Sequence, residues 1–225
     1  MTTPVTLRAV LFDLDGTLAD TAPDLAYALN AVREEQGEAP LPFEAIRPVV
    51  SHGARALIEL GFGLAPTAAG FEALRQRLLT IYQDNIARHT RLFPGMESVL
   101  DTLEARGIPW GVVTNKPARL TDPLMDALGL TPRAACIVSG DTVAHSKPHP
   151  APLLHACACS GLAPGACVYV GDAQRDVEAG QAAGMRTLVA LFGYLGPHDQ
   201  PQAWGADGLV AEPRDILAWL GERAA

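Results

Sequence analysis

The stretch VLFDLDGTLADT, residues 10–21, places two carboxylates one residue apart at the end of an apolar run. Side chains alternate between the two faces of a strand, so in extended geometry Asp13 and Asp15 point the same way and Leu14 points opposite. Two such charges about 5–6 Å apart repel by roughly 3 kcal/mol at an effective dielectric of ~20. Either a raised pKa on one carboxyl or a bound cation must relieve that repulsion.

Length and composition indicate an ordinary soluble protein. The 225 residues suffice for one full core, or for a core domain that carries a small second one. The net charge of −8 argues against a nucleic-acid-binding surface. No apolar run approaches the ~20 residues that span a bilayer, and the N-terminal residues lack the pattern of a signal peptide. The four cysteines form no C-x-x-C pair and have no histidine at ligand spacing, which predicts reduced thiols and a cytoplasmic location.

Short apolar runs recur along the chain and predict six strands: Leu7–Phe12, Pro109–Val113, Ala135–Val138, Ala166–Val170, Thr187–Leu191 and Gly208–Ala211. From Phe93 onward, the segments between them mostly have helical spacing. Glu97–Ala105 and Arg175–Ala183 are examples, with Gly107 and Gly184 as stop signals. Such alternation predicts an α/β protein, a Rossmann-like parallel sheet with helices on both faces.

Residues 20–91 break this alternation and contain no convincing strand. Apolar residues there follow helical spacing in two stretches, 22–32 and 71–82, which Pro- and Gly-punctuated segments separate. We therefore predict an all-helical cap, residues 20–91, inserted after the first strand of a core formed by residues 1–19 and 92–225. The long irregular stretch 193–207 is expected to be a surface loop.

Polar motifs follow four of the predicted strands, at the edge where open α/β sheets bind ligands. In chain order they contain Asp13 and Asp15, then Thr114 and Asn115 in VVTNK, then Lys147 in HSKPHP, and finally Asp172 and Asp176 in VYVGDAQRD. Taken singly, each has an ordinary explanation: an Asp-Gly turn, a helix cap or a solvated lysine. Their joint occurrence at one sheet edge favours an active site.

These four motifs resemble those of the haloacid dehalogenase superfamily of aspartyl-nucleophile phosphohydrolases, and the resemblance covers almost the whole chain. The helical insertion after the first motif is similar to the caps of the small-cap subgroup. DGTLADTAPDL, GDAQRDVEAGQAAGM and ALFGY look most like phosphoglycolate phosphatases. VVSHGARALIELGFG and the later WGAD resemble N-acetylmuramic acid 6-phosphate phosphatases. The resemblance implies a phosphatase acting on a small phosphomonoester, and it leaves open whether the protein is a monomer or a homodimer.

The catalytic roles follow from the resemblance. It implies that Asp13 is the nucleophile that forms an aspartyl-phosphate intermediate. Asp15 would be the general acid, which protonates the leaving oxygen and later takes a proton from water. Thr114 Oγ and the Asn115 backbone N–H would hold phosphoryl oxygens, while Lys147 would neutralise developing charge. The two carboxylates of the opening stretch would thus take opposite protonation states.

Mg²⁺ is the cofactor that the resemblance implies, because a carboxylate does not approach a phosphate dianion unaided. The expected protein ligands are Asp13, the backbone carbonyl of Asp15, and Asp172. Asp176 would support the water molecules around the ion or orient Lys147.

Substrate choice is expected to come from the cap. In SHGAR, residues 51–55, a Gly-containing turn leads into a predicted helix, and His52 and Arg55 are candidates to bind a substrate carboxylate. Two alternatives stay open, a phosphosugar mutase with the same four motifs and a catalytically silent binding protein. A dehalogenase is disfavoured, because that branch of the superfamily lacks the second aspartate of the first motif.

Overall fold

The computed structural model describes residues 7–221. The strands in those residues are β1 Ala9–Phe12, β2 Ala19–Asp20, β3 Arg91–Leu92, β4 Trp110–Val113, β5 Ile137–Val138, β6 Cys167–Gly171, β7 Arg186–Ala190 and β8 Gly208–Val210. Six strands form one parallel sheet in the order β5-β4-β1-β6-β7-β8. All six predicted strands are present in it, so the predicted fold class is confirmed.

The α-helices of the described residues are α1 Ala22–Glu35, α2 Phe43–Ile46, α3 Gly53–Phe62, α4 Phe71–Asp84, α5 Met96–Ala105, α6 Ala118–Ala127, α7 Ala151–Ser160, α8 Gln174–Ala183 and α9 Arg214–Gly221. A 3₁₀ helix, Arg47–His52, leads into α3. Between residues 7 and 221, no helix is both long and apolar enough to cross a membrane.

Different helices cover the two faces of the sheet, because alternate strand residues point to opposite sides. Val10 and Phe12 of β1 share an apolar cluster with buried residues of α5 and α9. Ala9 and Leu11 belong to a second cluster, with buried residues of α7 and α8. Burial on both faces explains why the strands are continuous apolar runs rather than alternating ones.

The segment between β2 and β3 contains helices and no strand, and it fits a cap. Helices α1, α3 and α4 pack on one another around buried residues such as Leu29, Leu57 and Leu78. The fully buried carboxylate of Asp24 accepts hydrogen bonds from the backbone of His89 and Thr90, which ties α1 to the end of the segment. The division into a cap, residues 20–91, and a core, residues 1–19 and 92–225, stays a prediction. The two ends of the predicted core, residues 1–6 and 222–225, lie outside the described residues.

The two connections to this helical segment lie side by side. Strands β2 and β3 pair antiparallel, with Ala19 opposite Leu92 and Asp20 opposite Arg91. This ladder corrects the expectation that residues 20–91 take no part in a strand. Two-residue strands are too short for sequence periodicity to indicate, and the pairing arises because the chain leaves and re-enters the sheet domain at the same place.

Candidate active site

Asp13 directly follows the central strand β1 and is buried. Its Oδ1 accepts a hydrogen bond from the backbone N–H of Leu14 at 2.7 Å and lies 3.0 Å from Nζ of Lys147. Burial raises the pKa of Asp13, and the Lys147 ammonium opposes that rise. The charged form of Asp13 therefore depends on the cations that surround it.

Lys147 is not a solvated surface lysine, because its side chain is 0% exposed. Its ammonium lies between two carboxylates, 3.0 Å from Asp13 Oδ1 and 2.8 Å from Asp176 Oδ1. It also donates hydrogen bonds to the carbonyl of Val113 and to the hydroxyl of Tyr169. These contacts hold a positive charge at the carboxyl end of β1, where it can pair with an anionic group.

Asp13, Asp172 and Asp176 offer carboxylate oxygens that all lie within 4.8 Å of one another. Burial, together with the negative charges of Asp13 and Asp176, raises the pKa of Asp172 to about 7. Asp172 Oδ1 is buried and has no hydrogen-bond partner in the described residues. An unpaired buried carboxylate oxygen is costly, so this donor set fits a hard divalent cation such as Mg²⁺.

Asp15 lies outside this carboxylate cluster and has its own partners. Its Oδ1 accepts hydrogen bonds from Thr21 Oγ1 at 2.6 Å and from Lys116 Nζ at 2.9 Å. Lys116 in turn lies 4.5 Å from the centroid of the Tyr82 ring. The repulsion expected between Asp13 and Asp15 is thus relieved by two lysines, one beside each carboxylate.

Gly16 brings the turn after β1 close to Asp172. Its φ of +84° lies in the region that favours glycine. A Cβ at this position would lie 2.1 Å from Asp172 Oδ2. The DG pair of the opening stretch is therefore needed for contact between the first and fourth motifs, and not only for the turn.

The second motif joins the third through Asn115. The side chain of Asn115 accepts a hydrogen bond from the backbone N–H of Lys147 and donates one to its carbonyl, both at 2.9 Å. Thr114 Oγ1 accepts a hydrogen bond from the backbone N–H of Lys116 at 3.2 Å. Thr114 and Asn115 both line the pocket described next, so the structure brings the first three predicted motifs together.

A pocket of about 420 Å³ lies between the carboxyl edge of the sheet and the helical segment. Its wall includes Asp13 and Asp15 from the sheet side, and His52 and Arg55 from the helical side. Gly53 has a φ of +80° and starts α3, so the predicted Gly-containing turn is present. Both predicted cap residues are exposed and border the cavity that contains the two aspartates.

Four residues at this site are not anticipated from the sequence: Ser51, Lys116, Arg175 and Tyr194. Lys116 directly follows the second motif, and Arg175 lies inside the fourth, so their positions in VVTNK and GDAQRD are a usable signal. Tyr194 is buried, although residues 193–207 are expected to be a surface loop. Its backbone N–H donates to Asp172 Oδ2 at 2.9 Å, a contact that no local pattern indicates.

Comparisons with known proteins agree with this geometry. Residues 10–190 match the family model of haloacid dehalogenase-like hydrolases. An N-acetylmuramic acid 6-phosphate phosphatase from Pseudomonas putida is 46% identical over 210 residues, 93% of this chain and 94% of the relative. A phosphoglycolate phosphatase from Xanthomonas campestris is 46% identical over 215 residues, 94% and 97% of the two chains.

A solved structure extends the likeness to the fold. The crystal structure of a predicted phosphoglycolate phosphatase from Haemophilus somnus superposes with a TM-score of 0.85 at 27% identity, over 95% of this chain and 98% of that one. The likeness therefore includes the helical segment as well as the sheet. The chain belongs to the haloacid dehalogenase-like hydrolases, among which it is a phosphoric monoester hydrolase.

Proposed function

We propose that this phosphatase hydrolyses a small phosphomonoester that carries a carboxylate remote from the phosphate, of the N-acetylmuramic acid 6-phosphate or 2-phosphoglycolate type. The observation that carries the proposal is the buried pair of Asp13 and Lys147, 3.0 Å apart, of which Asp13 lines the pocket. A carboxylate held beside a fixed cation is suited to attack a phosphoryl group.

Asp13 acts as the nucleophile. One of its carboxylate oxygens attacks phosphorus in line, and the bond from phosphorus to the leaving oxygen breaks as the aspartyl-phosphate forms. Thr114 Oγ, the Asn115 backbone N–H and Lys147 hold the phosphoryl oxygens, and Lys147 offsets the charge that develops on them. Water then attacks the same phosphorus, releases inorganic phosphate and restores the carboxylate.

Asp15 transfers the protons. It donates one to the leaving oxygen and recovers one from the attacking water. In the described structure its carboxylate is paired with Lys116, whose Nζ lies 2.9 Å from Asp15 Oδ1. Lys116 also lines the pocket, so an incoming dianion competes with Asp15 for its ammonium. Substrate binding therefore weakens the ion pair between Asp15 and Lys116 and frees the Asp15 carboxyl group for the proton transfer of the first step.

Mg²⁺ fits the site because Asp172 Oδ1, beside two further carboxylates, is buried and has no partner among residues 7–221. Asp13, Asp172 and the backbone carbonyl of Asp15 would hold the ion, and Asp176 would support the surrounding water or keep Lys147 oriented. When bound, Mg²⁺ would reduce the repulsion between the nucleophile and the phosphate dianion.

The pocket favours a sugar-sized substrate over a two-carbon acid. Its volume of about 420 Å³ lies in the range of about 300–1,000 Å³ typical of sites for larger small molecules. Its wall also includes apolar residues from the helical side, such as Leu25, Val50 and Leu79. 2-Phosphoglycolate has no methyl group to place against these residues, whereas N-acetylmuramic acid 6-phosphate has the methyl groups of its lactyl and acetyl substituents.

Arg55 is the best candidate for the substrate carboxylate. Three other arginines on the pocket wall already have protein partners: Arg75, Arg119 and Arg175. Within residues 7–221, no hydrogen bond or ion pair occupies the guanidinium of Arg55. A guanidinium binds a carboxylate with two parallel hydrogen bonds, and His52 lies on the same wall to assist.

The test of the substrate proposal is phosphate release from three esters with Mg²⁺ present. N-acetylmuramic acid 6-phosphate should have the highest kcat/KM. N-acetylglucosamine 6-phosphate, the matched sugar without the carboxylate, should be at least about ten-fold poorer, the value of one charge-assisted contact. 2-Phosphoglycolate should have a lower kcat/KM than N-acetylmuramic acid 6-phosphate, because it leaves the apolar residues of the pocket wall uncovered. A preference for 2-phosphoglycolate would overturn the sugar-sized substrate, and no release from any of the three esters would overturn the proposed substrate class.

Arg55→Ala should lower kcat/KM for N-acetylmuramic acid 6-phosphate by roughly ten- to a hundred-fold, since a lost charge-assisted hydrogen bond costs about 1.5–3 kcal/mol. The kcat/KM for N-acetylglucosamine 6-phosphate should not change, because that sugar has no carboxylate. Arg106→Ala, an exposed arginine at the end of α5, is the matched control and should affect neither substrate. Equal losses on both sugars would instead mean that Arg55 contacts the phosphoryl group or supports the cap.

A further inference from the structure

We propose that Ser51 of the helical segment is a positioning residue for Asp172, so that docking of this segment on the sheet domain and binding of a divalent cation stabilise each other. The inference rests on the proposed function in one respect, the assignment of Asp172 as a cation ligand. It adds a residue from outside the four motifs to the cation site.

The two oxygens of Asp172 have different surroundings. Oδ2 accepts a hydrogen bond from Ser51 Oγ at 2.7 Å and another from the backbone N–H of Tyr194 at 2.9 Å. Oδ1 is buried and has no partner in the part of the chain that the structure describes. Two donors on one oxygen fix the rotation of the carboxylate and leave the other oxygen for a cation.

Ser51 is itself held from the sheet side. The guanidinium of Arg175 donates a hydrogen bond to the Ser51 carbonyl at 2.6 Å. Arg175 lies in α8, three positions after Asp172. Ser51 and the fourth motif therefore exchange hydrogen bonds in both directions, through a hydroxyl one way and a carbonyl the other.

Arg47 adds a second attachment at the other end of the same 3₁₀ helix. Its guanidinium donates to the carbonyls of Gly193 and Phe192 at 3.0 and 3.1 Å and lies 5.0 Å from the centroid of the Tyr194 ring. The Tyr194 hydroxyl donates to Asp20 Oδ1 at 2.8 Å, in the connection to the helical segment. Arg47 does not contact Asp172 directly. It binds the loop that contains Tyr194, and the backbone N–H of Tyr194 donates a hydrogen bond to Asp172.

These contacts form only when the helical segment lies against the sheet domain. In that position Ser51 completes the pair of donors on Asp172 Oδ2, and in any other position Asp172 keeps only the donor from Tyr194. A cation that binds the oriented carboxylate more tightly must, by linkage, favour the docked position to the same extent. The coupling needs no contact between the cation and Ser51.

The first test is Mg²⁺ binding by isothermal titration calorimetry, with no substrate present. Ser51→Ala should raise the Kd for Mg²⁺ about ten-fold. This is the lower end of the loss of metal affinity that follows when a hydrogen-bond partner of a metal ligand is removed. Ser51→Thr keeps the hydroxyl and should bind Mg²⁺ like the wild type. Ser98→Ala, an exposed serine of α5, is the matched control and should have no effect.

Arg47→Ala separates docking from direct contact. It should also weaken Mg²⁺ binding, by a few-fold, although Arg47 lies away from the carboxylates. Arg47→Lys is the second variant, in case the alanine variant folds poorly. Its Mg²⁺ affinity should lie between those of the wild type and Arg47→Ala. Ser51→Ala should reduce Mg²⁺ affinity less in the Arg47→Ala background than in the wild type, because both changes disfavour the same docked state.

The second test is hydrogen exchange of the backbone amides of residues 47–53. Mg²⁺ should slow their exchange in the wild type and in Ser98→Ala, and have a smaller effect in Ser51→Ala. Equal Mg²⁺ affinity in the wild type and Ser51→Ala would overturn the inference while leaving the phosphatase intact. A weaker affinity in Ser51→Ala together with an unchanged affinity in Arg47→Ala would overturn the coupling to docking.

Discussion

Asp13→Asn should reduce phosphate release by at least about a thousand-fold, because an amide oxygen is not a nucleophile for phosphorus. The fold should be retained. Asn occupies nearly the same volume, and Lys147 keeps its 2.8 Å contact with Asp176. The metal-free variant should unfold at the same temperature as the wild type or higher, since the change removes one of three crowded negative charges.

Asp24→Asn is the matched control, a second fully buried aspartate that lies outside the pocket. Its carboxylate accepts hydrogen bonds from the backbone N–H groups of His89 and Thr90 and from the Thr90 hydroxyl. An amide would turn a donor toward donors, so this variant should lose about 1–3 kcal/mol of stability. Its turnover well below its unfolding temperature should remain normal.

The two variants thus predict opposite outcomes for stability and for activity. Activity is measured as single-turnover phosphate release with Mg²⁺ present. Stability is measured as thermal unfolding in EDTA. An Asp13→Asn protein that kept more than about a tenth of wild-type turnover would rule out covalent catalysis through this carboxylate.

EDTA should abolish turnover, Mg²⁺ should restore it, and Ca²⁺ should not. Without a cation, the phosphate dianion meets three carboxylates that lie within 4.8 Å of one another. Ca²⁺ takes more oxygen ligands at longer distances than Mg²⁺, so it would tend to engage both Asp13 oxygens and leave none free to attack. Steady-state rates after exhaustive dialysis, with each ion added back, measure this.

A change in one ligand gives the matched comparison. Asp172→Ala should raise the Mg²⁺ concentration needed for half-maximal rate steeply, by at least about ten-fold. Mg²⁺ should raise the unfolding temperature of the wild type, as any ligand of the folded state does, and should do so far less in Asp172→Ala. Full activity of the dialysed wild type in EDTA would contradict the assignment of Mg²⁺ as a required cofactor.

The amino-acid sequence alone was enough to predict the sheet and the family. Each strand of a parallel sheet that is covered on both faces is a short apolar run, so Val10 and Phe12 carry the same local signal as Leu11. The carboxyl ends of parallel strands meet at one edge, which brought Asp13, Thr114 and Asp172 into a single prediction. The roles assigned to these residues stay predictions until the variants are measured.

Other features were beyond local patterns. The ladder of β2 and β3 has two residues in each strand, too few for any periodicity. The pocket volume, from which we propose a sugar-sized substrate, depends on where the helical segment lies over the sheet. The chemistry of its side chain was enough to predict Arg55 as a candidate, but only the structure distinguished it from the other arginines on the same wall, which have protein partners.

The sequence by itself determined which side chains end the strands, because strand propensity and side-chain alternation are local properties. Only the tertiary structure decided which groups those side chains contact. Ser51 and Asp172 are 121 positions apart, and Asp172 meets Tyr194 through a loop that has no pattern of its own. Such pairings arise when the helical segment packs on the sheet, and the energy of that packing depends on distant surfaces that fit together, not on neighbours in the chain.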